Sequence, residues 1–327
     1  MRQFANSFPN WKFLFFFSVV MATSLQPEAN SWSWPIKGEI DKRLTSLFGE
    51  SRKDHFHNGV DISSVKEPVY PVRSGKVLYS RFSGDFPFSE DLGTGNSVWL
   101  DHGDGILSAY YHLENKRNKI LEGNQTVSTE MSLGLSGNTG HSSGGHLHFL
   151  TLSENGKKIF DPLSVLPKVQ DTIPPDVLNL FLHTKTGFSN LAIGDTIRAS
   201  QNYPLSVLVQ DSGLTKGGRR WVKEISLQWN GNDLRKDSFT WIRYGNGEWF
   251  NPEGRSFSEI YFQDRYMVGD MSLRNGENTL VVMATDFHDQ KTTKTFSFYV
   301  ERISEVEAKN MQNKAKNSKI PIKKKGK

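Results

Sequence analysis

The chain writes its apolar residues in short alternating runs broken by glycine turns, and this pattern constrains the fold more than any other feature. PVYPVRSGKVLYS (residues 68–80) and NSVWLDHGDGILSAYYHL (residues 96–113) alternate apolar and polar side chains around Gly turns. Successive strand side chains point to opposite faces, so this spacing predicts half-buried antiparallel strands. No long amphipathic helix interrupts them. The stretch Arg81 to Gly95 reads as an extended loop bordering a cleft. After PKVQDTIPP, alternation resumes at Leu205, Val207 and Val209, more loosely at Val222, Ile225 and Leu227, and closes with paired runs at 279–284 and 295–300. The fold class expected is therefore all-β: an antiparallel, barrel-sandwich-like first domain followed by a β-sandwich. The closing segment NGENTLVVMATDFHDQKTTKTFSFYV resembles the last hairpin of bacterial immunoglobulin-like modules.

The expected organisation is a signal peptide over 1–29, a first domain over 30–167, a Pro-rich linker over 168–175, a sandwich over 176–302 and a basic disordered tail over 303–327. Arg2 and Lys12 flank an apolar run at 13–22, with small-residue exits around Ala22, Ser24 or Ala29. That run is shorter than the ~20 apolar residues of a membrane span, so export with cleavage is expected in preference to anchoring. The net charge of +5 is uneven. The tail carries +6 and the first 29 residues +1, leaving the body at −2. The basic balance thus belongs to the tail and gives no argument for a nucleic-acid-binding fold. The Lys-rich tail is suited to envelope polymers or lipid headgroups, or is a plain solvated terminus; both readings stand.

Cysteine is absent, which excludes disulfides, thiolate metal sites and thiol catalysis. Any metal must be held by His and carboxylate. Seven of the nine histidines lie between residues 55 and 148. In HFHNGVDIS, His57 and Asp61 are four apart; in GHLHF, His146 and His148 are two apart, which on a strand puts both on one face. Two imidazoles and a carboxylate fit a zinc ion that keeps an open position, with other divalent metals left open. His55 and His141 are candidates for lining a cleft. His102 reads as structural, His183 and His288 as surface residues, and Tyr110 and Tyr111 as packing aromatics.

LTSLFGESRKDHFHNGVDIS, PVYPVRSGKVLY, LDHGDGILSAYYHL and LGLSGNTGHSSGGHLHF, in this order, closely resemble the lysostaphin/LytM-type zinc endopeptidases that act on peptidoglycan. The resemblance covers about residues 34–166. It implies one zinc per chain on His57, Asp61 and His148, with His146 and His112 as metal-free catalytic histidines: one a general base, the other an oxyanion donor, in either assignment. It also implies peptidoglycan peptides as substrate, with the bond cut left open between glycine bridges, stem peptides and, by preference, cross-links containing D-amino acids. All five positions are filled, unlike the family's inactive members. Leu150 departs from the pattern, since many relatives carry Glu there, and the expectation is an effect on packing. Three rivals remain: a non-catalytic regulator of wall hydrolases, a protease of protein substrates, and a structural surface protein.

Overall fold

A computed structural model describes residues 31–85, 90, 92–115, 121, 123–185, 187–213 and 220–318. The expected signal peptide, part of the 81–95 loop and the last nine tail residues lie outside the described residues. Strand accounts for 46% of the structure and helix for 8%, and no sheet closes into a barrel.

One sheet of ten strands organises the first domain. Its centre is His146–Ser153, which pairs with Leu107–Leu113 along one edge and with Val60–Ser63 and Lys158–Phe160 along the other. Beyond Leu107–Leu113 follow Asn96–Asp101, Gly75–Arg81 and Thr126–Val127. Pleating divides the central strand's side chains between two environments. Leu147 and Phe149 enter a core with Val60, Ile62, Val98, Leu100 and Tyr110. His146, His148, Leu150 and Leu152 lie on the other face. Here the sheet is partitioned: the histidine half opens to a groove, and the leucine half is buried in the core that the second domain completes.

The second domain holds two five-stranded sheets around one core. The first is ordered Gly187–Leu191, Asp176–Thr184, Leu205–Gln210, Arg265–Met267, Tyr261–Phe262; the second, Thr196–Ala199, Lys291–Arg302, Gly276–Thr285, Glu224–Trp229, Asn232–Ser238. The strands Thr196–Ala199 and Lys291–Arg302 run parallel, against the otherwise antiparallel pattern.

Residues 241–250 depart from the expected sandwich. Trp241–Gly245 and Glu248–Phe250 form a hairpin that joins the first domain's sheet, with Phe160↔Trp241, Ile159↔Ile242 and Lys158↔Arg243 in register. Asn246 and Gly247 both have positive φ, as a two-residue type I′ turn requires. The tail also differs from expectation: Glu305–Ser318 is helical, not disordered. Its start is a capping box, in which the Ser304 hydroxyl accepts from Glu307 N at 3.2 Å and the Ser304 amide donates to Glu307 Oε2 at 2.8 Å.

Candidate metal centre

Three ligand candidates meet through register. Asp61 sits directly opposite His148 in the pairing of Val60–Ser63 with His146–Ser153, which places the two side chains on one face. His57 enters from the chain just ahead of Val60. Gly59 allows that approach, because a Cβ there would stand 2.3 Å from the Phe149 carbonyl oxygen and 3.0 Å from His148 Nε2. His57 Nε2, His148 Nδ1 and Asp61 Oδ1 then converge, at 3.1 Å (His57–Asp61), 3.1 Å (His57–His148) and 2.8 Å (His148–Asp61).

What the outer atoms do decides the character of this cluster. His57 Nδ1 donates to the Leu47 carbonyl at 2.7 Å, and His148 Nε2 donates to Asn58 Oδ1 at 2.9 Å. In these tautomers each imidazole turns a lone pair inward, toward a carboxylate oxygen that also carries only lone pairs. Three acceptors within 4.8 Å of one another, all buried, are a set that a cation completes. The donor set of two imidazoles and one carboxylate fits zinc. Burial pulls His148 down to about 4, so it is neutral at physiological pH, as a ligand must be.

Two features of this surround are absent from the sequence reading. Arg52 Nη2 lies 2.8 Å from Asp61 Oδ2 and 2.8 Å from the Ser46 hydroxyl, which accepts from it. It engages the oxygen that faces away from the histidines and leaves Oδ1 to them. Asn58, through its side-chain oxygen, fixes the tautomer of His148. No motif signals either role, although both residues lie within ten of Asp61.

His112 reaches the groove by a distortion. Its neighbours Tyr110 and Tyr111 alternate normally, with Tyr111 stacked on His148 (centroids 5.5 Å, 16°) and Tyr110 in the core. Continued alternation would send His112 to the far face. Instead it takes φ 62°, the register with Asn96–Asp101 slips here, and its ring lies 4.8 Å from that of His146. Left-handed backbone is costly for a non-glycine residue and clusters at functional sites. His112 Nδ1 donates to the Thr139 carbonyl at 2.8 Å and His146 Nδ1 to that of Gly144 at 2.8 Å, so both turn Nε2 into the groove. His146 Nε2 is 3.6 Å from Asp61 Oδ1. Burial lowers His112 to about 4.

The groove measures about 710 Å³, and His55 and His141 line it, as expected. His102 is held elsewhere by Ser108 and Ser74. His183 and His288 are half-buried, not fully on the surface: His183 bonds the Ser206 hydroxyl at 2.6 Å, and His288 lies 3.9 Å from Asp171. Leu150 is buried against the second domain, so its apolar character is explained by packing.

The sequence profile of Peptidase family M23 matches residues 55–162, the segment that carries Asp61 and the six histidines lining the groove just described. Residues 55–162 form a domain of peptidase family M23. A separate profile matches residues 174–301. Among curated proteins, the M23 segment is similar to peptidoglycan DD-endopeptidase ShyA of Vibrio cholerae, 35% identical over 118 residues, or 36% of this chain and 24% of that protein. It is also similar to the murein hydrolase activator NlpD of Escherichia coli, 29% identical over 140 residues, or 42% of this chain and 32% of that protein. The chain spans about a quarter to a third of the length of these relatives. Among solved structures, the catalytic domain of lysostaphin from Staphylococcus simulans aligns at 28% identity and TM-score 0.30, over 36% of this chain and 86% of that one. M23 is a zinc peptidase family, and the M23 domain here has a His-Asp-His arrangement at its groove.

Proposed function

We propose that the chain is an exported, zinc-dependent endopeptidase that hydrolyses peptide cross-links of bacterial peptidoglycan. The observation that carries this reading is the convergence of His57, Asp61 and His148 lone pairs in an open groove with two further imidazoles at its rim. Bound there, zinc supplies Lewis acidity toward a carbonyl and brings the pKa of a coordinated water to ~7.

The chain's own groups supply the proton handling. His146 and His112 both present an unprotonated Nε2 in the neutral state. His112, held at about 4, is a poor resting place for a proton near neutrality. That leaves His146 as the general base, taking the water's proton at Nε2 and returning it to the leaving amine. His112 stabilises the oxyanion by donation only when it is itself protonated, so its contribution is greatest at low pH. Arg52 keeps Asp61 from rotating, and Asn58 keeps His148 in its tautomer. The apolar run at 13–22 and the small residues after it support export.

The test is zinc content and muropeptide release, measured on wild type and His148→Ala. One zinc per chain, with cleavage products that vanish in the variant, is the expected result. A second reading is favoured by the similarity to the NlpD murein hydrolase activator: the same groove serves to regulate other wall hydrolases. Zinc-loaded protein that releases no muropeptides alone but accelerates a partner hydrolase would replace the first reading with the second.

A further inference from the structure

Glu50 is buried at 9% exposure, does not line the groove and belongs to no ligand set, yet the chain beside the metal centre is folded around it. Residues 49–57 form a tight loop in which Gly49 N donates to the His57 carbonyl at 2.8 Å and His57 N to the Glu50 carbonyl at 2.7 Å. Ser51 and Phe56 bridge within the same loop. The main chain of Glu50 is thus bonded directly to that of a metal-ligand candidate.

Its side chain engages the end of the strand Leu44–Ser46. One carboxylate oxygen accepts from Leu47 N at 2.6 Å and the other from the Ser46 hydroxyl at 2.6 Å. Both of these residues are also outer contacts of the centre. The Leu47 carbonyl accepts the Nδ1 proton of His57, and the Ser46 hydroxyl accepts from Arg52 Nη2, which also holds Asp61 Oδ2. By taking the hydroxyl proton, Glu50 leaves Ser46 only lone pairs to offer to Arg52, which carries only donors. Arg52 Nη2 stands 3.8 Å from Glu50 Oε2, beyond hydrogen-bond length but within reach of charge attraction. A buried carboxylate is costly, and an apolar side chain of similar volume would often fill such a place at lower cost. The contacts of this one lead to His57 on one side and to Asp61 on the other.

We propose that Glu50 is a positioning residue for the metal centre. It orients His57 through Leu47, and Asp61 through Ser46 and Arg52, and so sets metal affinity without touching metal or substrate. The proposal rests on the zinc-binding part of the proposed function and not on the reaction carried out there.

The experiment uses the full chain and reads zinc affinity by competition with a chromophoric chelator, beside unfolding in urea. In Glu50→Ala both side-chain contacts are lost, and zinc is expected to bind about 10–100-fold more weakly, the scale for a group that orients a metal ligand. In Glu50→Gln one oxygen remains for Leu47 N, while the amide presents a donor to Ser46. Half of that effect in free energy is expected, about 3–10-fold. A merely structural glutamate would lower stability in urea and leave the zinc affinity of the folded protein unchanged. Wild-type affinity in both variants therefore overturns the proposal, and should Glu50→Ala not fold, Glu50→Gln alone decides. Wild type that takes up no zinc removes the zinc reading instead, and nitrogen NMR of the imidazoles in the metal-free proteins then decides. A His57 that keeps its proton on Nδ1 in wild type and Glu50→Gln but exchanges tautomers in Glu50→Ala supports Glu50; one unchanged His57 spectrum in all three overturns it.

Discussion

Asp61 in the groove and Asp237 in the second domain are both buried aspartates, and their surroundings differ in kind. Asp237 is enclosed by donors: Arg235 Nε, Arg255 Nη1 at 2.7 Å, Asn251 Nδ2 at 2.7 Å and the Tyr266 hydroxyl. Its charge is neutralised within the protein, in a site closed to solvent. Asp61 has one donor of this type, Arg52, on one oxygen, while its other oxygen meets imidazole lone pairs in an open groove. A saturated carboxylate is structural; a carboxylate set among acceptors is completed by something from outside. The contrast separates two functions of buried charge within one chain, without reference to any relative.

The largest effects should come from breaking each aspartate in turn. Asp61→Asn is expected to remove zinc and to reduce muropeptide release by at least ~10³-fold, while the metal-free fold melts at or above the wild-type apo temperature. Asp237→Asn is expected to do the reverse: a loss of about 3–5 kcal/mol in denaturant unfolding, because Arg235 and Arg255 are left without their counter-charge, with one zinc still bound per folded chain. Zinc content and urea titration of the two variants decide it. An Asp237→Asn protein of wild-type stability, or an Asp61→Asn protein that keeps its zinc, breaks the distinction.

A smaller change sharpens it. Arg52 is the point at which the open carboxylate borrows from the closed design. Arg52→Gln is expected to weaken zinc binding by about 10–100-fold, the usual cost of losing a group that orients a metal ligand. Competition with a chromophoric chelator reads this directly. Asp61 would still be present, so zinc stoichiometry at saturating metal stays at one. A change in stability without a change in zinc affinity would make Arg52 a packing residue only.

How much of this was legible in the sequence follows from the range of the interactions concerned. His146 and His148 are two apart on one strand, so a local period is enough to pair them. The M23 strands likewise follow from alternation and glycine turns. His112 is placed by a positive φ and a slipped register, which no period predicts; only its motif drew attention to it. The hairpin at 241–250 carries an Asn-Gly turn, so its existence was readable, but its choice of Lys158–Phe160 as partner is a contact across some 80 residues between domains. The capping box at Ser304 and Glu307 was present in the letters and was outweighed by the lysine count. Leu150 shows the converse: an unexplained departure from a motif was the trace of a domain interface.

The finest test asks whether the second domain only covers the leucine half of the sheet or also supports the histidine half. Tyr261 reaches across to the Gly49 carbonyl, and Gly49 N in turn donates to the His57 carbonyl at 2.8 Å. The second domain is thus two hydrogen bonds from a metal-ligand candidate. Tyr261→Phe keeps the ring packed against Phe56, Trp221 and Phe239 and deletes only the hydroxyl. The expected cost is about 1 kcal/mol in denaturant unfolding, that of one buried hydrogen bond. If the domain supports the centre, zinc affinity falls along with stability, because the turn from Gly49 to His57 loses its outer tether. If stability falls and zinc affinity stays constant, the coupling ends at the core, and the open and closed aspartates belong to regions that share a wall but not a mechanism.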